Sequence, residues 1–399
     1  MLKKISVSQL RPGMFLQELC GSWMDHPFWR NAFVLKDPAD IRRIVESGIK
    51  EVIVDTDKGL DVLEAAPAEP PPPAAPAVIA APTVERTSMA EEVKLAAKVV
   101  AKSKEAVTSM FQEARMGKAL DAADAAPLVD EFAGSVSRNP GALISLARLK
   151  NKDEYTYMHS VAVCALMVAL ARQLGLGDGE TRDAGLAGLL HDVGKMTIDD
   201  AVLNKPGKLT DEEFARVRSH PEEGHKMLLE GRNVSPMALD VCLHHHEKTD
   251  GSGYPHRLAG EAITLHARMG AVCDVYDAIT SNRPYKAGWD PAESVRKMAD
   301  WKGHFDPRVF QAFVKSIGIY PIGSLVRLDS GRLGVVIDQT EKSLLSPKLR
   351  VFFSTKSNVR IPPEVVDLSR PEARDKIAGQ EDPAKWNFPD LAQMMGLSA

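Results

Sequence analysis

Residues 186–195 read Leu-Ala-Gly-Leu-Leu-His191-Asp192-Val193-Gly194-Lys195, an apolar run ending on an imidazole and a carboxylate side by side. Neighbouring residues of a helix point about 100° apart, so one ion reaches both only at a helix end or a distortion. Gly194, two residues on, supplies such an end. A carboxylate beside a histidine suits a bridging role, with one oxygen on each of two ions. Outward from this dyad, His159, His220, His245-His246 and Asp274 each lie within or at the end of an apolar, helix-forming run. A buried polar side chain must find a partner. For any single histidine that partner is ordinarily a backbone carbonyl. Five histidines and two aspartates on the inner parts of neighbouring helices are harder to satisfy that way. Divalent metals satisfy them together, and helical bundles build such sites from facing helices.

The surrounding chain reads as mainly α. Helix follows helix over residues 127–317. Thr210 with Glu213 makes a capping box. Ser235-Pro236, Asp290-Pro291 and Asp306-Pro307 each set a capping residue before a proline at the first helical position. Residues 161–174, 239–246 and 267–279 are strongly apolar and expected to be buried. Helix formers fill residues 88–116; this helix is expected to pack on its own domain, with pairing to a second copy, a homodimer, as the other reading. Residues 1–63 read as a small α+β module, with strands over 14–19, 32–36 and 51–55 and a helix opened by Asp37-Pro38 and closed by Gly48. Residues 64–87 form a Pro/Ala-rich, extended linker. An all-α domain over residues 88–321 follows. Alternating runs at 324–328, 334–337 and 349–353 suggest a small β appendix over 322–369. Residues 370–399 read as a polar tail, partly disordered.

Composition narrows the function. The chain has 399 residues, 44% of them hydrophobic, and a formal charge of −4. No broad basic field attracts long nucleic acid or a membrane surface. No run reaches the roughly 18 apolar residues of a membrane span, and Met1–Ser6 lacks the apolar core of a signal peptide. The cysteines Cys20, Cys164, Cys242 and Cys273 are scattered, without CxxC pairing. They read as core residues of a reduced, cytoplasmic chain. The phosphate loops of nucleotide kinases are absent.

The signature blocks come in a fixed order: His159; His191-Asp192-Val-Gly-Lys195; His220-Pro221; His245-His246-Glu247; Asp250-Gly-Ser-Gly253-Tyr254-Pro255; Asp274-Val-Tyr-Asp277; Arg283-Pro-Tyr-Lys286. This series resembles the HD-GYP family, a branch of the HD metal-dependent phosphohydrolases, over roughly residues 85–369. The first unit resembles the small domain often found ahead of HD-GYP domains. The resemblance implies an all-α HD-type helical domain that hydrolyses cyclic di-GMP. It implies His159, His191, Asp192, His220, His245, His246 and Asp274 as metal ligands, with Asp192 bridging. It further implies Lys195 near the substrate phosphate, Gly253 and Tyr254 flanking the substrate, and Arg283 and Lys286 on its phosphates. Members with a third metal carry a glutamate four residues before the first histidine. Here Tyr155 holds that place and Glu154 would point about 100° away. Two divalent ions are therefore expected, iron or manganese. Glu247 and Asp250 are expected to orient ligands, and Asp277 to be structural, near the site but not itself a ligand.

The chemistry follows from charge. A phosphodiester anion repels hydroxide, and water is a poor nucleophile. Two metal ions lower the pKa of water to about 7 and neutralise charge growing on phosphorus. In-line attack would expel the ribose 3′-oxygen and leave linear pGpG, with a second cut to GMP left open. The catalytic set is then His191, Asp192 and Lys195, where Lys195 either stabilises or protonates the leaving oxygen. Arg283 would act as a forked donor and Lys286 as a point charge. Two rival readings are another HD-type nucleotide phosphohydrolase or oxygenase, and a silent module that binds cyclic di-GMP or, through its GYP loop, a diguanylate cyclase. The GYP loop, Arg283 and Lys286 argue against the first; the complete ligand set argues against the second.

Overall fold

The computed structural model describes residues 2–20, 33–35, 41, 44–45, 51–60, 86–148, 155–203, 205, 207–281, 288–340, 343–386 and 388–395. They fall in two compact units, Met1–Ala81 and Pro82–Ala399.

In the first unit, strands β1 (Leu2–Ser6), β2 (Phe15–Cys20), β3 (Phe33–Val34) and β4 (Glu51–Asp55) form an antiparallel sheet in the order β1-β4-β2-β3. Ile5, Leu16, Val52 and Val54 bury one side of the sheet together with Met14, Leu35 and Ile44. β1 was not expected, because Lys3 and Lys4 interrupt its apolar alternation; Lys4 pairs with Glu51 on the neighbouring strand at 2.6 Å. Ile41, Ile44 and Val45 are helical, within the helix expected there. Asp37, Pro38, Gly48 and linker residues 64–85 lie outside the described residues.

The second unit is helical. Helix α1 (Met89–Arg115) opens on a capping box of Ser88 and Glu91. It turns Ala96, Val107, Phe111 and Ala114 into the core of its own unit. A homodimer through α1 would have to use its other face. Glu92, fully buried on α1, accepts two 2.8 Å hydrogen bonds from the Arg138 guanidinium. Helices α2 (Ala126–Arg138) and α3 (Pro140–Arg148) lead to α4 (Tyr155–Gln173), buried on every side from Val161 to Ala171. A helix apolar all round belongs at the centre of a bundle. Around it stand α5 (Asp178–Leu190), α6 (Asp211–Arg218), α7 (His220–Leu229), α8 (Pro236–His244), α9 (Leu265–Thr280), α10 (Pro291–Asp300) and α11 (Pro307–Ile317). The caps read from sequence at Thr210, Ser235, Asp290 and Asp306 each accept a backbone N–H of the first turn. Among the described residues no helix is long and apolar enough to cross a membrane.

A five-stranded antiparallel sheet closes the unit, in the order β8-β7-β6-β5-β9. Its strands are β5 (Leu325–Leu328), β6 (Arg332–Asp338), β7 (Lys348–Ser354), β8 (Val359–Asp367) and β9 (Ile377–Gln380). One face packs Val326, Val336 and Leu349 on Met89, Val93 and Ala142 of the helices. The other is covered by Trp386, Phe388 and Leu391. The described part of the segment read as a polar tail, through Met395, supplies both β9 and this cover. β8 escaped notice because Pro362-Pro363 reads as a strand breaker, yet β8 lies at the sheet edge, where proline is tolerated.

Candidate metal centre

Five segments bring the seven residues together. α4 carries His159, α7 opens on His220, α8 ends into His245 and His246, and α9 carries Asp274. The dyad sits at the end of α5. His191 is still helical (φ −54°, ψ −34°), whereas Asp192 has left the helix (φ −102°, ψ 10°) and starts the 3-10 turn Val193–Thr197. This distortion turns both side chains to one side. Gly194 works differently from the helix-ending role expected of it, for it has no left-handed backbone. Instead a Cβ there would stand 1.9 Å from the His220 carbonyl oxygen and 2.4 Å from the Gly224 nitrogen. Only glycine lets the turn lie against the start of α7.

Hydrogen bonds fix the tautomers. His191 Nδ1 lies 2.8 Å from the Gly188 carbonyl, His220 Nδ1 2.7 Å from that of Val217, and His245 Nδ1 3.0 Å from those of Val241 and Cys242. A carbonyl only accepts, so each Nδ1 donates its N–H and each neutral ring keeps a bare Nε2. His159 Nδ1 likewise donates to Asp277 Oδ2 at 2.6 Å. The Nε2 atoms converge on Asp192. His159 and His191 Nε2 lie 3.2 and 3.3 Å from its Oδ2; His220 and His245 Nε2 lie 3.2 and 3.7 Å from its Oδ1. His220 and His245 present their Nε2 atoms to each other at 3.3 Å. Two lone pairs at that distance repel unless a cation sits between them. Buried His191 Nε2 and Asp192 Oδ1 have no hydrogen-bond partner among the described residues. This donor set fits divalent metal ions: Asp192, His220, His245 and His246 form one ligand group, and His159, His191 and Asp192 another. Asp274 Oδ1 stands 3.1 Å from His159 and its Oδ2 3.8 Å from His246.

The charges are arranged accordingly. Burial opposes protonation of His159, but Asp192, Asp274 and Asp277 outweigh it and lift the imidazole to about 10. Burial also works against ionised Asp192, yet His191, Lys195 and His159 hold it well below the usual carboxylate range. Asp274 is held down in the same way by His159 and His191. On the other side, burial and neighbouring imidazoles keep His245 far below its usual range, and burial takes His246 to about 3. Those two rings are neutral at pH 7, the form that ligates metal.

Beyond the ligands, Lys195 Nζ donates to Asp192 Oδ2 at 2.5 Å. Among the described residues Glu247 and Asp250 bond to backbone N–H groups and not to the ligand imidazoles. Glu247, 2% exposed, accepts the backbone N–H groups of His256 (2.7 Å) and Leu258 (3.1 Å) and so pins the loop after Tyr254. Asp250 accepts the Ser252 N–H at 2.8 Å. Gly253 lies against the backbone of the preceding turn, where a Cβ would stand 2.6 Å from His246 O and 2.4 Å from Lys248 N. This approach lays the Tyr254 ring over His246, with centroids 4.7 Å apart and planes 24° from parallel. Arg218, which sequence reading missed, stands 4.5 Å from the Tyr254 ring centroid. Its position two residues before His220 was the only available signal. Asp277 lies near the site without being a ligand, as expected, and holds the His159 tautomer. His244 turns away, to Asp240 and His256. Arg283, Lys286 and Glu154 lie outside the described residues. Cys164, Cys242 and Cys273 are buried free thiols.

A helical bundle holding an HD dyad, with further imidazoles and a carboxylate around the shared aspartate, defines an HD-domain protein built to bind divalent metal. Residues 137–309 match the family described as HD domain, and residues 2–125 the one described as domain of unknown function (DUF3391). A cyclic di-GMP phosphodiesterase of Pseudomonas aeruginosa is 59% identical over 395 residues, 99% of this chain and 95% of its own length. The cyclic di-GMP phosphodiesterase response regulator RpfG of Xanthomonas campestris is 45% identical over 180 residues, 43% of this chain and 47% of its own. A 3′3′-cGAMP-specific phosphodiesterase of Vibrio cholerae is 37% identical over 166 residues, 41% of this chain and 32% of its own. The chain belongs to the HD-GYP family of HD-domain proteins.

Proposed function

We propose that this chain is a cytoplasmic, metal-dependent phosphodiesterase that opens cyclic di-GMP to linear pGpG. The observation that carries the reading is the division of Asp192: one carboxylate oxygen faces the Nε2 atoms of His159 and His191, the other those of His220 and His245. In this reading His159, His191, Asp192 and Asp274 would hold one divalent ion, and Asp192, His220, His245 and His246 would hold another. Such ions, iron or manganese, supply Lewis acidity and an activated water at neutral pH. The chain's own residues do the rest. Lys195 places a cation at the site, where it meets the scissile phosphate and the departing 3′-oxygen. The Tyr254 ring walls the site and offers a face to a guanine base. Burial, Asp274 and Asp192 push its phenol up, so it stays neutral. Arg283 and Lys286 serve the outer phosphate. A diguanylate cyclase docked on the GYP loop would be a further partner.

The test is product analysis. The full chain, purified anaerobically, should convert cyclic di-GMP to pGpG in preference to mononucleotide substrates. Preference for a mononucleotide, or binding without turnover, would overturn the reading. The relative specific for 3′3′-cGAMP makes that dinucleotide a necessary arm of the panel.

Two smaller effects should accompany this. Asp277→Asn removes the carboxylate that fixes His159 and should weaken metal affinity about 10–100-fold, as such outer partners do; calorimetric metal titration reads it. In this reading Arg218, standing at the Tyr254 ring, donates to a substrate phosphate; Arg218→Ala should then raise KM about tenfold with kcat nearly unchanged, the loss of one charged hydrogen bond. Arg218→Lys should recover part of it. A fall in kcat at constant KM would speak against this role.

A further inference from the structure

A cavity of about 570 Å³ opens between the helices and the five-stranded sheet of the second unit, away from the candidate metal centre. Arg172, which lines it, follows His159 by 13 residues on α4, about 20 Å along the helix axis. The volume falls in the range of small-molecule sites, about 300–1,000 Å³. Its walls are of two kinds. Ile144, Ala169 and Ile322, all buried, give an apolar floor. Arg86, Arg172 and Lys315 bring three cations to the lining. Among the described residues neither Arg172 nor Lys315 has an ion-pair partner, and both are exposed. Among the described residues of the lining the one acidic side chain, Asp338, is already engaged: Lys348 Nζ lies 3.1 Å from its Oδ2, and its Oδ1 accepts the Gln339 N–H. Gln339 also lines the cavity. Its Nε2 donates to the Tyr320 carbonyl at 2.6 Å, while its buried Oε1 accepts from no described residue.

We propose that this cavity binds a purine nucleoside monophosphate. Arg172 and Lys315 take the phosphate as unpaired cations, which strengthens each hydrogen bond they make. The base lies on the apolar floor, and one of its N–H groups supplies the donor that Gln339 Oε1 lacks. Guanine, with donors at both its ring nitrogen and its amino group, fits that acceptor well. The site meets the metal centre through one shared element: Tyr276 of α9 lines the cavity, two residues after Asp274 and one before Asp277. None of this depends on which dinucleotide the metal centre cleaves.

Calorimetric titration of the full chain with GMP tests the proposal, with AMP and inorganic phosphate as separate arms. One saturable site should persist in the His191→Ala, Asp192→Ala double variant, which separates it from the metal centre. Arg172→Glu with Lys315→Glu should weaken GMP at least tenfold and leave diesterase kcat intact. Gln339→Leu should weaken GMP but not inorganic phosphate. Saturable binding of inorganic phosphate without added affinity for GMP would overturn the nucleotide assignment. So would no saturation at millimolar GMP, unchanged affinity in the charge-reversed variant, or loss of binding when His191 and Asp192 are replaced.

Discussion

Asp192→Ala should abolish cyclic di-GMP hydrolysis while leaving a folded, helical chain. The aspartate lies within reach of both imidazole groups, with Oδ2 at 3.2 Å from His159 and Oδ1 at 3.2 Å from His220. Without it, neither group keeps a shared anion, and an ion in one half has nothing to hold its neighbour. The catalytic loss is large because the divalent ions that Asp192 would help to hold would supply Lewis acidity and an activated water at neutral pH. A fall in turnover of at least about 10³-fold is expected on that basis. The fold should survive, because the apolar core on α4 and α5 does not depend on the carboxylate. Far-UV circular dichroism beside pGpG formation reads both outcomes. Wild-type turnover in this variant would remove Asp192 from the mechanism.

Gly194→Ala should be nearly as damaging, by a different route. The new methyl would stand 1.9 Å from the His220 carbonyl oxygen and 2.4 Å from the Gly224 nitrogen, so backbone has to move. Overpacking of this kind costs about 1–3 kcal/mol, or roughly 2–5 °C in Tm for a unit the size of Pro82–Ala399. His220 is displaced in the process, and a shift near 1 Å at a reacting centre costs about 10²-fold in rate. Serine should behave as alanine does. An unchanged Tm with full activity would show that the turn and α7 yield more easily than their contact suggests.

Much of the site could be read from the chain because ligand chemistry leaves a local trace. Imidazoles and carboxylates inside apolar helices stand out, and His191-Asp192 marks the place where a helix must break. What escaped was relational. Asp277 looks like any polar residue near a helix end until His159 is seen 2.6 Å away. Glu247 sits beside two histidines, yet its carboxylate serves backbone N–H groups nine and eleven residues on. Arg218 belongs to an amphipathic, charged helix, and only the packing of α6 against the GYP loop reveals its contact with Tyr254. The fold behaved alike. Capped helices announced themselves, whereas β8 and β9 depend on neighbours. A proline-containing strand is stable only at an edge, and Ile377–Gln380 becomes a strand only because β5 offers a partner.

Metal content per chain tests the shared-aspartate arrangement most directly. Elemental analysis of the full chain, purified without oxygen or chelator, should find two divalent ions per chain, and at most one in Asp192→Ala. A metal-free but active wild-type chain, or an Asp192→Ala chain that keeps both ions, would contradict it.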